Sequence, residues 1–319
     1  MKQRASFATR AGAIAATVGS AVGLGNIWRF PYEAGQNGGG MFIIAYVLCG
    51  LILGVPVMLA EFVIGRATHK NMQGALQQLS PGKPFHLMAY VCVAGAVVTL
   101  GISGLVTYAS YFNDRTSLTR DAVTVASLDT LVAILAGVVI FPAVFSFGLQ
   151  PEAGPKLIFE ILPSVFRQLP CGYVWALLFF VLLIFASLTS TISLNEVAVT
   201  FLAEQRGLTR RRAVLASAAM VVPLAVVCAL SFNVLRDVRL WNMSLFDICN
   251  YAASNVFMLP GGLFTALYVG WFLDRRVLWS QLTNNGTLRG YEVGAVRFCL
   301  RWVAPISLVL IFLWFIGLL

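Results

Sequence analysis

From Ala11 to Val22 the chain runs apolar in the manner of a membrane helix, and then the pattern breaks. Gly23, Gly25 and Asn26 follow at membrane depth, and after them come Arg29, Pro31 and the triplet Gly38-Gly39-Gly40. In hydrocarbon an unpaired backbone group is costly, so a broken helix survives only where it is buried in protein or lines a cavity. Such a stretch can offer carbonyl oxygens to cations, and its freed amides and half-helix dipoles can hold a carboxylate. A glycine hinge or a close helix contact is the competing account of the same residues.

The rest of the chain fits a membrane setting. It is 59% hydrophobic and 11% charged over 319 residues, with mean hydropathy +0.84, which excludes a soluble domain and predicts an all-α polytopic membrane protein. Eight apolar stretches stand out: 11–30, 41–65, 87–112, 121–148, 172–203, 213–231, 245–273 and 298–318. The first is no cleavable signal, because its polar break lies where an unbroken apolar core belongs. The net charge of +9 does not indicate nucleic acid, since the basic residues gather in short loops as cytoplasmic connections do. The six cysteines lie in or beside apolar stretches with no CxxC pair, so they read as packing residues and not as a transition-metal site or disulfide framework. Nucleotide loops and catalytic triads are absent from the sequence, which is not that of an enzyme.

Three passages carry a family resemblance: GSAVGLGNIWRFPYEAGQNGGGMFIIAY (19–46), TYASYF (107–112) with LDTLVAILAGVVIFPAVF (128–145), and FASLTSTISLNE (185–196). Residues 4–66 and 99–319 resemble the bacterial branch of the neurotransmitter:sodium symporter family. That resemblance implies a LeuT-like inverted-repeat bundle with a broken first helix, and sodium-coupled transport of amino acids or related amines. It also implies a bacterial inner-membrane location with the N-terminus in the cytoplasm. The inverted repeat comes with the resemblance and is not read from spacing or periodicity.

The resemblance further implies site residues. One sodium would be held by backbone carbonyls of Gly19, Val22 and Ala186 and hydroxyls of Thr189 and Ser190, an oxygen set suited to a hard cation. Back-bonding of these hydroxyls to their own helix is the plainer alternative. A second sodium would take the Ala21 carbonyl, the Asn26 side chain and Asp129, whose carboxylate is expensive in an apolar segment unless paired. Because chloride-dependent members carry a neutral side chain near that position, chloride is not expected to be required. The substrate would meet the amides of Leu24 and Gly25, with Thr99, Ile102, Ser190 and Leu194 around it. Arg29 with Asp247 would form an outer gate, and Arg4 with Glu204 an inner one.

The chain also departs from the family. It has about eight apolar segments where bacterial members have eleven or twelve. Residues 1–98 resemble helices one and two and the start of three, and 99–319 resemble the second half of helix six through helix eleven. The join falls near Val98 to Ser103, and Val97 stands where the sixth helix should present a hydroxyl to sodium. Lipid or a second copy is expected to cover the apolar surface that missing helices would leave. In the orientation the resemblance implies, Arg29, Lys156, Arg167, Arg236 and Arg239 fall outside and the other basic residues inside, a strong bias, and the sequence just before 87 and just after 112 then both lie in the cytoplasm. The stretch 87–112 is then a re-entrant hairpin turning near Gly101, Ser103 and Gly104; its length alone fits one straight crossing. Two functions remain in view: a symporter, or a non-transporting remnant that inserts, binds sodium or associates with a full-length relative.

Overall fold

The computed structural model describes residues 9–85, 87–91, 104–113, 116–146, 157–315 and 318. Helix α1 (Arg10–Ala21) starts at Thr9, whose hydroxyl accepts the Gly12 amide at 3.1 Å, and ends where Val22 turns extended. Helix α2 (Leu24–Gln36) begins directly after Gly23 and leaves at 66° to α1. The long helix α3 (Gly40–Thr68) follows, then the short α4 (Met72–Leu79), capped by the Asn71 side chain. After them come α5 (Gly104–Ala109), α6 (Leu118–Ser146), α7 (Leu162–Gln168), α8 (Gly172–Gln205) and α9 (Arg210–Leu230). A two-residue hairpin, β1 (Arg239–Leu240) and β2 (Met243–Ser244), turns through Trp241 and Asn242 at positive φ and leads into α10 (Leu245–Phe272). The chain closes with α11 (Arg275–Leu282) and α12 (Tyr291–Trp314).

Among the described residues six helices are long and apolar enough to cross a membrane, or seven when the bent pair α1–α2 counts as one span. Seven of the eight expected apolar stretches therefore have such a helix. The eighth, 87–112, is described only at its two ends, both of which contain helix; its middle, 92–103, lies outside the described residues, and with it the choice between hairpin and single crossing.

The packed core sits at one end of the bundle, where the second half of α3 meets α4, α5, α11 and the ends of α10 and α12 that adjoin α11. Close approach there needs small residues. A Cβ at Gly65 on α3 would collide with the Val106 carbonyl on α5 and come within 2.8 Å of the Ala109 Cβ. Gly270 plays the same part on α10, where a Cβ would sit 2.8 Å from the Leu300 carbonyl oxygen. Arg66, 2% exposed, ties α3 to α11 and the turn after it. It donates from Nε to Gln281 Oε1 at 2.7 Å, and its terminal nitrogens reach the carbonyls of Thr116 and Gln281 and the side chain of Asn284.

Helix α8 is built differently. Leu178, Leu182, Phe185, Leu188 and Ile192 recur at helical spacing along one face, and all are at least half exposed. Thr189 is exposed beside them.

Candidate functional site

The break between α1 and α2 frees specific backbone groups. In a continuous helix the Gly23 amide would bond the Gly19 carbonyl and the Asn26 amide the Val22 carbonyl. Here the Gly23 amide turns to Asn26 Oδ1 at 3.5 Å, and the Asn26 amide to the Gly23 carbonyl at 3.1 Å. The released carbonyls of Gly19 and Val22 are met from α8 instead: the Ser190 hydroxyl lies 3.1 Å from one and 3.0 Å from the other. One hydroxyl has one proton to donate, so it serves these two oxygens alternately or through a shared bond.

Thr189 flanks this contact. Its hydroxyl donates back to Phe185 and Ala186 carbonyls of its own helix, both at 3.0 Å, as the plainer alternative had it. The side chain still faces α1 closely, since a Cβ at Gly19 would lie 3.5 Å from Thr189 Cβ. The structure thus gathers Gly19, Val22, Ala186, Thr189 and Ser190 into one oxygen-rich corner, with α1 packed on α8.

On the other side of the break, Asn26 Nδ2 donates to the Asp129 carboxylate at 2.7 Å and to the Asp129 carbonyl at 3.1 Å. This holds α2 against α6 and gives the Asp129 carboxylate a donor within the apolar segment. Ala21 is the last residue of α1, directly before the break. Leu24 and Gly25 supply first-turn amides of α2, where helix dipoles favour an anion. Among the described residues, a Cβ at Gly25 would meet nothing within 4 Å. Leu194 lies one turn beyond Ser190 on α8 and is half-buried.

Arg29 and Asp247 are not joined to each other. Arg29 pairs with Glu33 on its own helix at 3.7 Å, while Asp247 caps α10 through Ser244, whose hydroxyl donates to its carboxylate at 2.6 Å. Glu204 accepts the Asn71 amide at 2.9 Å. Arg4, Thr99, Ile102 and Val97 lie outside the described residues.

Two groups escaped the sequence reading. Glu61, buried in α3, accepts the Leu105 and Val106 amides and so caps the start of α5; a lone acid inside the 41–65 apolar stretch was the available signal. Glu196 takes a two-pronged contact from Arg210, at 2.9 and 2.7 Å, together with the Tyr111 hydroxyl at 2.9 Å. Its place in the quoted passage 185–196 carried no hint of either partner.

The broken membrane helix thus meets α8 through its freed carbonyls and α6 through Asn26. The chain belongs to the sodium:neurotransmitter symporter family, whose description matches residues 4–98 and 89–318. It is similar to the uncharacterized sodium-dependent transporter YhdH of Bacillus subtilis (strain 168), with 26% identity over 441 positions covering 98% of each chain. It is also similar to an uncharacterized sodium-dependent transporter of Haemophilus influenzae, with 25% identity over 452 positions and the same coverage. Because these alignments are much longer than the chain's 319 residues, long stretches of both relatives face gaps. The crystal structure of MhsT in complex with L-phenylalanine superposes with a TM-score of 0.90 at 27% identity, covering 98% of this chain and 99% of that one. This is an integral membrane transporter with a LeuT-like fold, coupled to sodium and carrying a small-molecule substrate; it is not an enzyme.

Proposed function

We propose that the chain is a symporter for amino acids or related amines, working by alternating access. The observation that carries this reading is the α1–α2 break, with the first-turn amides of α2 at Leu24 and Gly25 and two oxygen clusters on either side of it. The amides of Leu24 and Gly25 suit a substrate carboxylate, and the similar solved protein is bound to L-phenylalanine.

In this reading the Gly19, Val22 and Ala186 carbonyls and the Thr189 and Ser190 hydroxyls hold one sodium. Ser190 is central: as donor it occupies the Gly19 and Val22 oxygens, and as ligand it must turn a lone pair inward. Ala21, Asn26 and Asp129 hold a second ion, and Asp129 supplies the negative charge, so chloride is not required. Ser190 and Leu194, with Thr99 and Ile102, border the substrate. Arg29 with Asp247 closes the outer side and Arg4 with Glu204 the inner. Coupling arises because ions and substrate organise the same break, so each binds better once the other has ordered it.

The orientation that satisfies the charge bias places the N-terminus in the cytoplasm of a bacterial inner membrane. The seam between residues 1–98 and 99–319 replaces most of helices three to six, a placement supported by the two-part family match. The exposed stripe of α8 is then covered by lipid or by a second copy.

The test is uptake of a mixed labelled amino-acid pool into liposomes, with an inward sodium gradient compared against potassium. Sodium-driven uptake that survives replacement of chloride by gluconate and is lost in Asn26→Ala and Thr189→Ala supports the reading. Folded protein with neither uptake nor sodium-dependent binding overturns it.

A further inference from the structure

The ends of α9 and α10 that adjoin the β1–β2 hairpin bring two cysteines together. Phe232, just past α9, and Phe246, in the first turn of α10, pack with ring centroids 5.0 Å apart. Cys228 precedes Phe232 by four residues and Cys249 follows Phe246 by three, so each cysteine lies on the same face as its phenylalanine, one turn deeper. On antiparallel helices this register sets the two cysteines opposite each other, near enough for each thiol to feel the other. Both are half-buried free thiols. Their positions are fixed from either side: the turn after α9 closes with the Leu235 amide donating to the Leu230 carbonyl at 2.8 Å, and the Ser244–Asp247 cap pins the start of α10.

The arginines 206 and 210–212 mark the opposite end of α9, so the charge bias puts this cysteine pair at the outer face. That is the side on which disulfides form and persist. We propose that Cys228 and Cys249 form a reversible disulfide that ties α10 to α9. The oxidant is an external low-molecular-weight disulfide of the glutathione type. The thiolate of one cysteine attacks a sulfur of that disulfide and releases one small thiol; the other thiolate then attacks the mixed disulfide and releases the second. Two protein thiols become one disulfide, one external disulfide becomes two thiols, and the two protons pass to the departing thiolates. The tie would fix the end of α10 that carries Asp247.

The experiment exposes purified full-length protein to oxidised glutathione and counts free thiols with a maleimide mass tag. It is run on the wild type and on a variant with Cys49, Cys92, Cys171 and Cys299 all changed to serine. The expected result is joint loss of two thiols, a cross-linked peptide joining Cys228 to Cys249, a monomeric band without reductant, and full reversal by dithiothreitol. Thiols that stay reactive, single glutathione adducts at either cysteine, or disulfide-linked dimers overturn the proposal. Peptide mapping of the wild type distinguishes the same outcomes if the four-serine variant does not fold. The outcome does not depend on transport, so it stands or falls separately from the symporter reading.

Discussion

Asn26 and Asp129 join the broken helix to α6 through a single amide nitrogen, 2.7 Å from the carboxylate and 3.1 Å from the backbone carbonyl. A hydrogen bond to a charged group contributes about 1.5–3 kcal/mol, so the charge is the larger part of this contact. Asp129→Asn keeps the shape and removes the charge. Sodium affinity, followed by sodium-dependent thermal stabilisation, is expected to fall roughly tenfold to a hundredfold, the equivalent of that energy. Unchanged sodium stabilisation in Asp129→Asn would remove Asp129 from the ion site.

Ser190 and Thr189 predict different signatures. Ser190→Ala strips the hydroxyl that meets both freed α1 carbonyls, so stability without sodium should drop by about 1 kcal/mol along with sodium affinity. Thr189→Val keeps the volume and loses only bonds to its own helix. Its melting temperature in potassium should hold while the sodium response weakens. Equal behaviour of the two variants in potassium would contradict this assignment.

Gly65 marks a close helix crossing. Gly65→Ala pushes a methyl group into the Val106 carbonyl, and overpacking of this kind costs about 1–3 kcal/mol. Gly54→Ala on the same helix meets nothing within 4 Å and should leave the melting temperature unchanged or raised. Thermal unfolding in detergent compares the two.

Arg66 anchors the turn after α11 through bonds to Gln281 and Asn284. A lysine in its place cannot reproduce the forked geometry. Arg66→Lys is expected to make the 283–290 connection cleavable under limited proteolysis that leaves the wild type intact. Equal resistance would show that the turn holds itself.

Much of this arrangement was readable from residue order. The Gly23-Leu24-Gly25-Asn26 run located the helix break, because it depends on local chemistry at a recognisable membrane depth, whereas the pairing of that break with Thr189 and Ser190 on α8 came from the family resemblance. Asp129 announced itself as a charge within apolar residues. What stayed hidden depended on long-range packing. Nothing near Arg66 points to Gln281, more than two hundred positions away, and nothing near Glu61 points to the amides at the start of α5. The Cys228–Cys249 contact was hidden for the same reason: the two lie on different helices, and only the Phe232–Phe246 register brings them level. The gates fall between these cases, with Arg29 and Asp247 recognisable as charges but each held here by a local partner.

Thr189 is exposed beside the apolar stripe of α8, so the proposed ion site has one wall that the described chain does not itself build. Whatever rests there, acyl chain, detergent or another polypeptide, sets the local polarity beside a cation. Sodium affinity is therefore a joint property of the chain and its surroundings. Micelle, nanodisc and bilayer preparations of the same protein should not return a single dissociation constant.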